Sequence, residues 1–65
     1  MSKLQNARKS AGLSQSKLAE ISGVGIRMIQ DYEQGHKDIN CARAITVYNL
    51  AQALGVTIEC LLEIE

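Results

Sequence analysis

Four glycines divide this chain. Gly12, Gly23, Gly35 and Gly55 each follow a stretch in which apolar residues recur at three- and four-residue spacing, and none of the 65 residues is a proline. A glycine just past such a stretch ends a helix in a left-handed cap, because it alone takes a positive φ without a Cβ clash. The starts are marked too. Ser2, with Gln5 three residues later, has the form of a capping box, and Ser14 stands between Leu13 and Leu18 as an N-cap inside a hydrophobic staple does. Asn40 is placed to cap a fourth helix and Thr57 a fifth, with Val56 and Leu61 as the staple pair. The pattern predicts five helices, over 3–11, 15–22, 26–34, 41–54 and 58–63, and no strand.

The apolar faces give these helices a common core. Leu4, Ala7 and Ala11 form one stripe, Leu18, Ala19 and Ser22 a second, Ile29 and Tyr32 a third. Val47, Leu50, Ala51 and Leu54 line the fourth, and Ile58, Leu61 and Leu62 close the bundle. No repeat, linker or low-complexity run interrupts residues 1–65, so a single domain is expected. A chain this short buries only about 60% of the surface its unfolded form exposes. Small domains often add disulfides or a metal, but two cysteines, one histidine and no C-x-x-C argue against both. Cys41 and Cys60 read as reduced, buried small hydrophobes, and no cofactor is implied. The core must be aliphatic, since Tyr32 and Tyr48 are the only aromatics; they also offer no platform for stacking single-stranded bases. No run approaches the ~18 apolar residues of a membrane span. No signal-peptide pattern follows Met1, and the chain reads as cytoplasmic.

Seven basic residues balance seven acidic ones, a total unsuited at first sight to binding phosphates. The total hides a polarity. Residues 1–30 carry five basic residues against Glu20 alone, a net +4, and residues 31–65 carry Lys37 and Arg43 against six acidic residues, a net −4.

The basic half contains the most informative string, LSQSKLAEISGVGIRMIQDYEQG, from Leu13 to Gly35. Ala19 on one helix, a tight turn at Gly23, then Val24 and Ile29 facing inward is the spacing two helices need to cross steeply through a short turn. The string closely resembles the helix-turn-helix of the phage Cro/repressor family of DNA-binding domains. Arg8, the Gly12–Gln15 run, Glu33 with Gly35, and the Leu-Ala-x-x-Leu-Gly-Val close from Leu50 to Val56 also fall in that family's order, so the resemblance covers nearly the whole chain. It implies an all-α, lambda-repressor-like five-helix bundle that binds double-stranded DNA, with the third helix in the major groove.

With Ile29 pointing inward, the third helix turns Arg27, Gln30, Asp31 and Gln34 outward, with Ile26 on the flank. Arg27 suits the O6 and N7 of guanine, Ile26 a thymine methyl, and Asp31 the amino group of cytosine; Gln30 and Gly25 complete the base-reading candidates. Arg27 and Asp31 are also spaced i, i+4 and can simply pair with each other, while Ile26 can pack on the second helix. Gly25 stands where the family usually has a capping Ser or Thr, which removes one donor near the DNA backbone. The resemblance places Gln15 against a phosphate at a helix N-terminus, where anions are favoured in any case. Ser14, primarily a cap, and Lys17, one turn on, extend that contact; Gln34, His36 and Lys37 match the stretch the family lays along phosphates. Lys17 and His36 are equally readable as ordinary solvated residues, and a metal at His36 has no partner ligands in the sequence. Arg8 and Glu33 match the two halves of a partly buried structural ion pair.

The segment Lys37–Cys41 and a long fourth helix depart from the family's usual pattern, and Arg43 there can reach a phosphate or a partner subunit. One histidine and no nucleophile–base spacing leave no basis for an enzyme. A domain of this size reads one short half-site, so a homodimer is expected, with Ile58, Leu62 and Ile64 in the Thr57–Glu65 tail as its candidate contact. The competing expectation is an antitoxin or protein-interaction adaptor that uses the same fold with weak DNA binding, favoured by the zero net charge and by Asp31 on the third helix.

Overall fold

The computed structural model describes residues 2–63. Its four α-helices are α1 (Lys3–Ser10), α2 (Gln15–Ser22), α3 (Ile26–Gln34) and α4 (Ala44–Leu54), and two 3-10 turns occupy Ile39–Cys41 and Ile58–Cys60. The fold is all-helical among the described residues, with four α-helices where the spacing predicts five.

The first three helices begin and end for local reasons. The Ser2 hydroxyl accepts the Gln5 N–H at 3.0 Å and the Ser14 hydroxyl accepts the Lys17 N–H at 3.0 Å, each satisfying an otherwise orphaned donor of the first turn. Gly23 closes α2 with φ 75°, donating its N–H to the Ala19 carbonyl, and Gly35 closes α3 with φ 81°. Between α2 and α3 only Gly23, Val24 and Gly25 remain. Val24 is buried there, and its N–H is accepted by the Ser22 hydroxyl at 3.1 Å. That bond satisfies a buried polar side chain at the three-residue turn between α2 and α3.

Leu4, Leu18, Ile29, Leu50 and Leu61 are fully buried and join α1, α2, α3, α4 and the C-terminal turn in one core. Each such side chain contributes about 1.5–3 kcal/mol by leaving water. Ala11, expected on the first stripe, is exposed, because it is already the C-cap of α1. Cys41 and Cys60 are both exposed free thiols, against the expectation of burial: each ends a 3-10 turn, away from the core.

The fourth helix starts at Ala44 rather than at 41, and Asn40 does not cap it. Asp38 accepts the Asn40 N–H at 2.9 Å and so caps a 3-10 turn instead. The Asn40 amide is meanwhile engaged at both ends by Glu63, accepting its N–H at 2.9 Å and donating to its carbonyl at 3.0 Å. Arg43 thereby falls at the N-cap position of α4, where it makes no side-chain cap bond. The expected fifth helix is only the 3-10 turn Ile58–Cys60, and Thr57 makes no cap bond to it. A stretch this short cannot offset the cost of nucleating an α-helix, and a single 3-10 turn is the common result. Lys3 ties that turn back to α1, donating its N–H to the Glu63 carboxylate at 2.7 Å and its Nζ to the Glu59 carbonyl at 3.1 Å.

Candidate nucleic-acid interface

The α2–turn–α3 unit presents one side of α3 to solvent. Ile29, Tyr32 and Glu33 are buried, whereas Ile26, Arg27 and Gln34 are exposed and Gln30 and Asp31 half-buried. The turn glycines and the inward side chains set this division, since one residue advances about 100° around a helix. Arg27 forms no ion pair or side-chain hydrogen bond with another described residue, so its guanidinium is available to solvent. Asp31 does not meet it. Its carboxylate lies 3.6 Å from His36 Nδ1, while its backbone carbonyl accepts the N–H groups of His36 at 2.8 Å and Lys37 at 3.2 Å. These bonds hold the segment after α3 against the helix end, with Gln34, His36 and Lys37 all exposed. Ile26 remains 40% exposed, so packing on α2 leaves much of it free to touch another molecule. Gly25 makes no cap bond to α3, which leaves the first N–H groups of that helix without a side-chain acceptor.

At the start of α2, the Ser14 hydroxyl is occupied as the cap. Lys17 is exposed and reaches Glu20 at 3.2 Å, a solvated pair worth about 0–1 kcal/mol and easily exchanged for another anion. Gln15 is half-buried and less free than a solvated glutamine. Its Nε2 donates to Glu33 Oε1 at 3.0 Å, and its Oε1 accepts from Gln30 Nε2 at 3.4 Å.

Beneath the face lies a buried charge pair. Arg8 donates through Nε to Glu33 Oε2 at 2.7 Å, through Nη2 to Oε1 at 3.1 Å, and through Nη1 to the Leu13 carbonyl at 2.8 Å. The two side chains are 10% and 2% exposed. The forked bond to Glu33 raises the Arg8 guanidinium above its ordinary value; burial pushes the other way, and the carboxylate charge adds to the rise. Every buried side-chain nitrogen and oxygen among the described residues has a hydrogen-bond partner. The clamp joins α1, the α1–α2 connection and α3, so the pose of α3 is tied to charges that solvent hardly reaches.

Sequence reasoning missed the Gln15–Glu33 and Gln15–Gln30 bonds, the His36 contact of Asp31, and the Asn40–Glu63 clasp. The first two left a signal: Gln30 and Glu33 are one turn apart on α3, and Gln15 opens the helix that crosses it. The others join residues brought together by a loop or by the chain ends, which no periodicity reports. Arg43 is exposed at the start of α4. In the tail Leu61 is buried, and Ile58 and Leu62 are half-buried against the core, which reduces the apolar area they can offer a partner. Ile64 and Glu65 lie outside the described residues. Among the described residues no helix is long and apolar enough to cross a membrane.

A family model described as helix-turn-helix matches residues 4–59. No curated protein and no solved structure is similar enough to the chain to count as a match.

Proposed function

The chain belongs to the Cro/repressor-type helix-turn-helix family of DNA-binding regulators, and from that premise we propose that it is a sequence-specific transcriptional regulator whose α3 reads the major groove. The observation that carries this reading is the outward side of α3, where Arg27 stands exposed and pairs with no other described residue while Asp31 is drawn toward His36. A planar guanidinium free of internal partners can donate two bonds to one guanine. Ile26 meets a thymine methyl, Gln30 and Asp31 read amino-bearing base edges, and Gly25 lets the backbone approach closely. Ser14, Gln15 and Lys17 at the start of α2, and Gln34, His36 and Lys37 after α3, lie along the phosphates. Residues 1–65 act as one reading domain, without a cofactor and without enzymatic chemistry.

The described residues extend 27 × 23 × 21 Å, shorter in every direction than the about 34–36 Å between half-sites one helical turn apart. A palindromic operator therefore takes two copies, and the working form is a homodimer on DNA. Selection from random duplex DNA, run with the wild type and with Arg27→Ala, tests this reading. The wild type enriches a short motif containing guanine, and the variant loses the preference at that base pair. Failure to enrich any motif at low salt would remove the regulator reading.

An adaptor or antitoxin is the second reading. It is favoured by α4, which carries no charged residue between Ala44 and Leu54 yet leaves Ile45 58% and Tyr48 48% exposed. An uncharged face with two large apolar side chains suits a protein partner. Loss of DNA motif enrichment together with a stable hetero-complex would support this reading over the first.

A further inference from the structure

Two basic side chains can reach the Asp31 carboxylate. Arg27 lies four residues before it on α3, a spacing at which opposite charges meet. His36 lies five residues after it, beyond the glycine that ends the helix. The carboxylate goes to His36: Oδ1 stands 3.6 Å from Nδ1, and Arg27 pairs with no other described residue. The backbone explains that choice. Gly35, at φ 81°, turns the chain back on α3, and the Asp31 carbonyl accepts the N–H groups of His36 at 2.8 Å and Lys37 at 3.2 Å. The imidazole is thereby held beside the carboxylate, whereas Arg27 must order a long side chain to reach it. Other charges do not intervene. Asp38 turns Oδ1 to the Asn40 N–H at 2.9 Å and Oδ2 to the Cys41 thiol at 3.8 Å. Arg8 pairs with Glu33 and Lys17 with Glu20, Lys3 is bonded to the Glu59 carbonyl, and α4 carries no charged residue. Lys9, Lys37 and Arg43 are exposed and form no ion pair with another described residue.

We propose that His36 is a positioning residue for the Arg27 contact: its protonated imidazole holds the Asp31 carboxylate and so leaves the Arg27 guanidinium free for guanine. The inference rests on α3 being the reading helix. Loss of the proton leaves at most one neutral N–H facing Asp31, and a charge-assisted bond is about twice as strong as a neutral one. The carboxylate then turns to Arg27, the one cation that α3 carries. That pair draws the guanidinium back along α3, away from the N-terminal end where base edges are read. Histidine is the side chain whose charge ordinarily changes between about pH 5 and 8. The guanine preference is therefore greatest at the acid end of that interval and falls as pH rises through it. An exposed ion pair sets its size, since the imidazole is 66% and the carboxylate 20% exposed. The change amounts to about two- to fivefold in affinity.

The test compares affinities for two duplexes that carry the selected motif and differ only at the guanine assigned to Arg27. Measured at about pH 5.5 and about pH 8.5 at fixed salt, their ratio separates this effect from the general gain any cation brings near phosphates. In the wild type the ratio is about two- to fivefold larger at the acid end. His36→Gln, neutral throughout, shows the weaker preference at both ends, and His36→Lys, charged throughout, shows the stronger at both. Asp31→Asn has no carboxylate to capture Arg27, and its ratio does not change with pH. In the free chain, the Arg27 Cζ resonance in ¹³C-detected spectra moves with the His36 ring titration in the wild type and stays still in Asp31→Asn. A wild-type ratio that is constant or rises toward alkaline pH overturns the proposal, as does a pH dependence that survives Asp31→Asn. An equal gain for both duplexes at acid pH makes His36 a phosphate contact only and overturns it too. Absence of any motif with the wild type would instead remove the regulator reading, and the specificity role of His36 with it. The free-chain titration stands apart from DNA: an Arg27 Cζ resonance that ignores the His36 titration overturns the exchange of Asp31 between the two partners.

Discussion

Arg8→Ala tests whether the buried pair is a structural clamp or a DNA contact. The substitution removes three donated hydrogen bonds, two to Glu33 and one to the Leu13 carbonyl. It leaves a carboxylate only 2% exposed with Gln15 as its remaining donor. Breaking a buried ion pair from one side costs about 3–5 kcal/mol, most of it the uncompensated charge. A core of this size rarely supplies more than about 3–5 kcal/mol in total, so the variant sits at the edge of unfolding at room temperature. At about 4–8 °C per kcal/mol for a domain of this length, the melting temperature falls by at least ~12 °C, read by circular dichroism. The companion double variant, Arg8→Met with Glu33→Leu, removes both charges and recovers part of that loss, because apolar replacement of a buried pair is often close to neutral. The Leu13 carbonyl and the Gln15 Nε2 each lose a partner, at about 1 kcal/mol apiece. The salt dependence of DNA binding, measured on the folded fraction at low temperature, keeps its slope, whereas loss of a phosphate contact changes it by about 0.9. The pH dependence follows with its sign. A cation whose folded pKa lies above its unfolded one stabilises fully below the unfolded value and loses that contribution only as pH rises through the folded value. Arg8 therefore adds no slope to stability between about pH 6 and 9. A fall of less than ~5 °C with a flattened salt slope refutes the clamp.

Two further substitutions probe the reading unit. Gly25 has φ −58°, a conformation open to any residue, and a Cβ there meets nothing within 4 Å. Gly25→Ser therefore reduces unfolded-state freedom and caps α3, raising stability by about 0.4–1 kcal/mol in a thermal melt; a lower melting temperature would show that the turn needs glycine for another reason. Lys17→Ala leaves stability within about 0.5 kcal/mol, because its pair with Glu20 is solvated. It lowers the salt slope of DNA binding by about 0.9 where Lys17 faces a phosphate, and an unchanged slope makes it an ordinary surface lysine.

The parts of the fold that were legible before the structure are those decided within one helical turn. Ser2, Ser14, Gly23 and Gly35 act through neighbours three or four residues away, and the start of α1, both bounds of α2 and the end of α3 follow from them. The segment after Gly35 was not legible in this way. Asn40 has the chemistry of an N-cap, but Glu63, far along the chain, claims its amide, and Asp38 takes the local donor. The tail carries helical apolar spacing from Ile58 to Leu62, but too few residues to propagate a helix. Exposure of Cys41 and Cys60 follows from the same two turns, which place them at the rim. On the candidate site, Ile29 alone places Arg27 and Gln34 outward, while Gln30 and Asp31, expected outward as well, are half-buried. The links from Glu33 through Gln15 to Gln30 depend on how two helices cross, which spacing along one chain does not specify.

The orientation of the chain on DNA is the central claim, and a ¹H–¹⁵N titration with a duplex carrying the selected motif tests it most directly. The largest backbone shifts are expected at the start of α2 (Ser14 to Lys17), along the outer side of α3 (Gly25 to Asp31), and in the segment from Gln34 to Lys37. Residues of α4 from Ile45 to Tyr48 and the turn at Ile58–Cys60 should move little beyond what dimerisation requires. Shifts confined to α4 and the C-terminal turn, with α3 unmoved, would contradict the account.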